Sequence, residues 1–451
     1  MASSSPTNRT HFPVIIVGGG QAGLSVSYCL QQKGIEHIIF EKHKVAHSWE
    51  SKRWDSFCLV TPNWQCMLPG YAYPGDDPEG FMQRDEIVQY VRDYAQSFLP
   101  NLREGVAVDS IEENVGEGIS DTNQRLFKVT TSIGEYSAEQ VVIATGGYHQ
   151  PKIPHMSAHL PSELLQLHSS EYKNPQSLPE GGVLVVGTGQ SGCQIAEDLH
   201  LAGKQVHLCV GGAPRSPREY RGKDVVAWLD ELGYYDTPID EHPQKEKVRT
   251  KTNHYVTGRG GGREIDLRQF ATEGMKLYGR LNVIEGATLS LKDDLAQNLD
   301  YADSVAESIK GTIDEYIKKN NIDAPVEPAY EPAWEPKEAV RRLDLDADNI
   351  QTLIWATGYH MDFNWIALPA FDDGGYPTHQ RGVTTVEGLY FIGLPWLYTW
   401  GSGRFSGIAR DAAYLSEQIS EQISGQIIGK VDMPSAAAME ATTAVATTSP
   451  A

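Results

Sequence analysis

Two short apolar runs, each emptying into a glycine loop, constrain this chain more than any other feature. Val14-Ile15-Ile16-Val17 leads into Gly18-Gly19-Gly20-Gln21-Ala22-Gly23. Val183-Leu184-Val185-Val186 leads into Gly187-Thr188-Gly189-Gln190-Ser191-Gly192, 169 residues later. Each reads as a buried parallel strand, a G-x-G-x-x-G turn and the start of a helix. The first glycine permits the tight turn. The second lets backbone approach a pyrophosphate, and the third lets helix and strand pack closely. The helix N-terminus offers free N–H groups and a positive dipole to the phosphates. The expected fold is α/β, with two Rossmann-like dinucleotide-binding domains, the second inserted in the first.

The two units differ where the next strand ends. In the first, His37-Ile38-Ile39-Phe40-Glu41 places an acid 23 residues after Gly18, where it can accept hydrogen bonds from an adenosine ribose. In the second, the same count lands on Val210, with Gly211 and Gly212 next and Arg215 and Arg218 beyond. An acid there would repel a 2′-phosphate and an arginine would pair with it, so the second site is expected to prefer NADPH. Two dinucleotide folds imply two dinucleotides, and the natural hydride acceptor beside a nicotinamide is a flavin.

The length of 451 residues suits two or three domains. A formal net charge of -21 disfavours nucleic acid as a partner. The opening residues lack an apolar signal core, and no stretch approaches the roughly 20 apolar residues that span a bilayer, so a soluble cytoplasmic protein is expected. The five cysteines form no C-x-x-C pair, which argues against a dithiol centre or a zinc site. The divisions expected are a disordered 1–11, a first FAD-domain part at 12–172, an NADPH domain at 173–345, a second FAD-domain part at 346–431 and a disordered tail at 432–451. From Leu291 to Ile317 apolar residues recur in threes and fours, predicting an amphipathic helix ending near Asn320-Asn321. Packing on its own domain is favoured for it, with a homodimer contact as the alternative. The proline-rich stretch after it reads as an extended strap.

From about Val14 to Ile423 the chain resembles the class B flavoprotein monooxygenases, in particular flavin-containing monooxygenase-like proteins. The two glycine units look like that family's FAD and NADPH sites. Val142-Ile143-Ala144-Thr145-Gly146 and Leu353-Ile354-Trp355-Ala356-Thr357-Gly358 resemble its two A-T-G strands, where the chain crosses between domains. Trp49 looks like the tryptophan beside the flavin. Leu389-Tyr390-Phe391-Ile392-Gly393-Leu394 resembles the last FAD-binding strand, and the glycine-rich 401–407 opens a helix facing the flavin. The family's F-x-G-x-x-x-H-x-x-x-W/Y/F fingerprint is half kept: His168 and Tyr172 are present, while Ser162 and Leu164 replace the phenylalanine and glycine.

The resemblance implies an NADPH-dependent monooxygenase that oxidises a small organic substrate with O₂ through a flavin C4a-(hydro)peroxide. The alternative is a flavoprotein passing electrons to a quinone, metal or protein. The implied cofactor set is Gly18, Gly20, Gln21, Gly23, Glu41, Trp49, Thr145, Gly146, Gly187, Gly189, Gln190, Gly192, Arg215, Arg218, Thr357, Gly358, Gly393 and Leu394. Asn63, then Gln65, are the candidates to hydrogen-bond near the reacting flavin. His168 completes the catalytic candidates, although an interdomain tether is the role favoured for it.

Overall fold

The structure, a computed structural model, describes residues 9–114 and 126–425. The expectation of loose ends falls outside the described residues before residue 9 and after residue 425. His11, expected in the loose N-terminus, instead opens the first strand, His11–Val17.

That strand is central in a parallel array ordered Leu102–Glu104, His37–Glu41, His11–Val17, Gly134–Ile143 and Leu389–Phe391. Its side chains alternate between two cores. Val14 and Ile16 pack under the helices Gln21–Gln32, Arg84–Phe98 and Ile408–Ile423. Ile15 and Val17 face Phe127, Val129, Phe363 and Ile366 on the other side. With both faces covered, an unbroken apolar strand is what the position demands. The covering on the second face comes from an antiparallel meander, Val108–Glu113 with Phe127–Thr131, which continues into Gly134–Ile143.

The second sheet repeats the plan. Its parallel order is Lys276–Tyr278, Val206–Cys209, Gly182–Val186, Ile350–Trp355 and Leu165–His168. Two strands of this sheet lie outside the expected bounds of 173–345. Leu165–His168 pairs with Ile350–Trp355, so the inserted domain begins before residue 173 and extends past residue 345. The two chain crossings lie side by side, where Gln150–Pro151 pairs antiparallel with Tyr359–His360.

The long helix runs Leu295–Asn320. Leu291 belongs instead to the preceding strand, Thr288–Leu291. Leu299 and Ala302 bury against the second domain's core, and Ile313 joins Tyr220, Val225 and Trp228. The helix therefore packs on its own domain. It stops at Asn321, whose left-handed φ of 53° is a conformation asparagine tolerates. The strap that follows carries no regular secondary structure and is fastened by Tyr330 Oη donating to Asp266 and Arg268 Nη1 donating to the Trp334 carbonyl.

Strand Val206–Cys209 carries a fully buried histidine, His207, whose Nδ1 meets Tyr278 Oη at 2.9 Å. Burial, reinforced by Lys276, pushes its pKa down to about 4. The unfolded chain therefore binds a proton that the native one refuses. Stability contributed at neutral pH is lost as pH falls from about 6.5 towards 4, by up to about 3 kcal/mol for a shift of this size. Urea unfolding at pH 7.5 and pH 5 should show that loss, and His207→Phe should flatten it.

Candidate dinucleotide clefts

The two glycine loops are built to one geometry. Gly18 and Gly187 both have φ of 108°. A Cβ added to Gly18 would stand 2.7 Å from the carbonyl oxygen of Ala144, and one added to Gly187 would stand 2.7 Å from that of Ala356. The third glycines are tighter still. A Cβ on Gly23 would lie 1.9 Å from the Gly18 oxygen, and one on Gly192 would lie 2.0 Å from the Gly187 oxygen. Only hydrogen fits at these four positions. The middle glycines are different: a Cβ on Gly20 meets nothing within 4 Å, and one on Gly189 meets only the Thr252 methyl group at 3.5 Å. Space is left open at the one position of each loop where a pyrophosphate would approach, which is the fit a dinucleotide needs.

Around the first loop, Glu41 accepts from the Gly19 N–H at 2.7 Å and from the His43 N–H at 2.8 Å. Its carboxylate is thereby held at the end of its strand, half-buried, with lone pairs to spare for a ribose. Gln21 donates to the Gly403 carbonyl at 3.2 Å and accepts from Trp49 Nε1 at 3.3 Å. Trp49 stacks on Phe405 with ring centroids 5.7 Å apart. Gly393 presses on Ala22, where an added Cβ would come within 2.8 Å. Residues far apart in the chain (Gln21, Trp49, Gly393 with its neighbour Leu394, and 403–405) thus converge on one helix start. Thr145 and Gly146 follow directly on the Ala144 floor.

Around the second loop, Thr188 Oγ1 accepts from the Gly211 N–H at 2.9 Å, so the loop's own hydroxyl meets the backbone beyond the strand and no acid takes part. Gln190 Nε2 donates to the Val256 carbonyl. Thr357 Oγ1 donates to the Lys152 carbonyl on the neighbouring crossing, and Gly358 accepts from His168.

One short bridge connects the two loops. Gln21 reaches Gly403, the next residue Arg404 donates through Nη2 to Asn253 Oδ1 at 3.1 Å, and neighbouring Thr252 abuts Gly189. A cleft of about 110 Å³ beside this bridge is lined by Trp64, Gln65, Tyr235, Gly401, Ser406 and Gly407, among others. Gln65 Oε1 and Ser406 Oγ are both buried there without a hydrogen-bond partner.

Several sequence expectations change. Asn63 spends its amide inside its own loop, with Nδ2 donating to the Asp77 carbonyl at 3.0 Å and Oδ1 accepting from the Met82 N–H at 2.7 Å. It clamps a turn, and of the two candidates Gln65 is the one with an unpartnered amide oxygen. His168 is fully buried and structural on both sides. Its Nε2 donates to the Gly358 carbonyl at 3.0 Å while Nδ1 accepts from the Ser170 N–H at 3.2 Å. Burial lowers its pKa, and the ring links the end of its strand to the crossing at Gly358.

The two arginines are not phosphate clamps on an open surface. Arg215 is 1% exposed and paired with Glu264 and with Asp303, the latter at 2.7 Å, under the ring of Tyr330. Arg218 is 3% exposed, pairs with Asp224 at 2.6 Å and donates to the Val60 carbonyl of the other domain. Each cation is already neutralised.

A family model described as pyridine nucleotide-disulphide oxidoreductase matches residues 15–260, more than half of the chain. The chain belongs to that family. Over 410 residues it is 34% identical to the uncharacterized oxidoreductase CzcO-like of Geobacillus kaustophilus (strain HTA426), covering 90% of this chain and 97% of that one. It is 31% identical to indole-3-pyruvate monooxygenase YUCCA6 of Arabidopsis thaliana over 219 residues, 46% of this chain and 50% of that one. The fold matches that of a flavin-containing monooxygenase from Stenotrophomonas maltophilia with a TM-score of 0.60, at 17% identity, over 92% of this chain and 99% of that one. Like others of its family, the protein is an oxidoreductase with paired Rossmann-type domains. The family description includes disulphide chemistry, but here all five cysteines are free. Burial raises Cys58 to about 11 and Cys66 to about 12, far from the thiolates that such exchange requires.

Two predictions separate the roles of these residues. Gly20→Val fills open space and should fold with an unchanged apo-protein Tm yet retain no FAD, whereas Gly23→Ala should lower the Tm sharply; absorbance and calorimetry check both. Arg215→Ala leaves Glu264 without its cation while Asp303 keeps Arg268, and should cost about 1–3 kcal/mol in urea unfolding. Any rise in KM should then be the same for NADH and NADPH.

Proposed function

We propose that the protein is a monooxygenase in which FAD occupies the first cleft and NADPH the second, oxidising a small organic substrate with O₂. The observation that carries this reading is the bridge from Gln21 through residues 403 and 404 to Asn253 and Thr252, which turns two equivalent loops toward one shared space. When bound, the nicotinamide and flavin supply hydride transfer and oxygen activation.

The chain's own residues bind, orient and dry that space. Gly18, Gly20 and Gly23 with Gly187, Gly189 and Gly192 admit the two pyrophosphates. Glu41 would take the flavin's adenosine ribose, and Thr188 leaves the second site free of an acid. Trp49 and Phe405 wall the first cleft. Gln65 and Ser406 present the unpartnered polar atoms able to hydrogen-bond a polar group brought between the rings. Trp400, Tyr234 and Tyr235 form an aromatic wall that excludes water, the condition an oxygen-activating site needs. The monooxygenase half of the reading is supported by the likeness to YUCCA6 and by the buried, unpaired thiols. The proposed setting is the cytoplasm, where such thiols stay reduced.

Reconstituted protein given NADPH and ¹⁸O₂ should place one labelled atom in its organic product, with NADPH consumed in proportion. Hydrogen peroxide released mole for mole with NADPH, without labelled product from any substrate, would instead assign electron transfer to a quinone, metal or protein. Gln65→Leu should raise peroxide release per NADPH several-fold while leaving FAD bound.

A further inference from the structure

Arg404 stands half-buried where the two domains meet. Arg215, Arg218 and Arg268 each hold at least one carboxylate. Arg404 holds none among the described residues. Its partners are two neutral oxygens, the Trp400 carbonyl and Asn253 Oδ1 at 3.1 Å. Its guanidinium lies 4.0 Å from the centroid of Trp400. Burial, partly offset by Tyr148, Tyr234 and Tyr235, holds its pKa below the ordinary value, yet an arginine remains a cation at neutral pH.

The surroundings are flat and apolar. Trp400 packs on Tyr235 with centroids 4.5 Å apart, and Tyr235 meets Tyr234 edge-on at 5.3 Å. Tyr148, 55% exposed, stands on the crossing strand and packs 5.3 Å from Tyr359 on the other crossing. Two acids line the neighbouring cleft: Asp236 is engaged by Arg410, and Asp230 holds no ion pair among the described residues. The guanidinium is a fork of five N–H donors, and only two of them are bonded to protein. A fork of that geometry matches a carboxylate in two parallel hydrogen bonds.

We propose that Arg404 anchors the substrate, and that the substrate class is an organic acid: a carboxylate on a flat aromatic or apolar body, seated against Trp400, Tyr235 and Tyr148. This rests on the monooxygenase reading for the fate of the substrate, but not for its binding. The carboxylate would fix one end while the body reaches toward the polar atoms of Gln65 and Ser406.

The test uses FAD-loaded full-length protein and the probes 3-phenylpropionate and 4-phenylbutyrate, each against its own primary amide. Binding is read by calorimetry and by quenching of tryptophan fluorescence, without turnover. The wild type should bind each acid at least 10-fold more tightly than its amide. Arg404→Gln should abolish that preference, weakening the acids about 30-fold, and Arg404→Lys should retain part of it. Equal affinity of acid and amide in the wild type overturns the proposal, and that comparison decides even if the glutamine variant fails to fold. A preference that survives Arg404→Gln, no binding of any probe at millimolar concentration, or an equal loss of NADPH affinity in the variant also overturns it. Acids that bind as expected without ¹⁸O insertion into them or any other organic acid would sink the monooxygenase reading and leave the anchor standing.

Discussion

The structure depends on two places where a backbone carbonyl sits against a glycine that could not carry a side chain. The Ala144 oxygen lies under Gly18 and the Ala356 oxygen under Gly187, each at a distance no Cβ would tolerate. Each loop can close only if a parallel strand ends directly behind it. That requirement sets the order of both sheets: the glycine strand lies between the strand that follows its helix and the strand that ends in alanine. It also explains why the chain leaves each domain just after that alanine. Continuing the strand would fill the cleft that the glycine loop opens.

Given this shared frame, the two halves differ in how they handle charge. The first ends its neighbouring strand in Glu41, an acid held by two backbone N–H groups and directed outward. The second ends in a glycine pair and supplies a threonine hydroxyl instead. Beyond it the charges turn inward, because the helix Leu295–Asn320 lays Asp303 between Arg215 and Arg268. That network fastens the inserted helix and strap to the domain. It is an internal fixture, with Tyr330 as its cover.

Local patterns in the sequence carried most of the fold. Both glycine units, the alanine floors and the long helix are written in contiguous residues whose spacing is dictated by strand and helix periods. What could not be read depended on distant partners. Arg215 looks like a surface cation because Glu264 and Asp303 lie 49 and 88 positions away. Asn63 looks available because the loop that consumes its amide, at 77–82, comes later in the chain. Arg404 was visible within its glycine-rich stretch, but its isolation was not: a missing counter-ion is a property of the assembled interior. The domain seams moved for a similar reason, since a four-residue strand such as Leu165–His168 declares its sheet only by pairing.

The twin crossings have a mechanical consequence. Gln150–Pro151 and Tyr359–His360 form a two-stranded ribbon, and His168 pins its base through the Gly358 carbonyl. A single connecting thread would let one domain swivel freely over the other. A doubled one resists torsion, so the second domain is held in its orientation to the first.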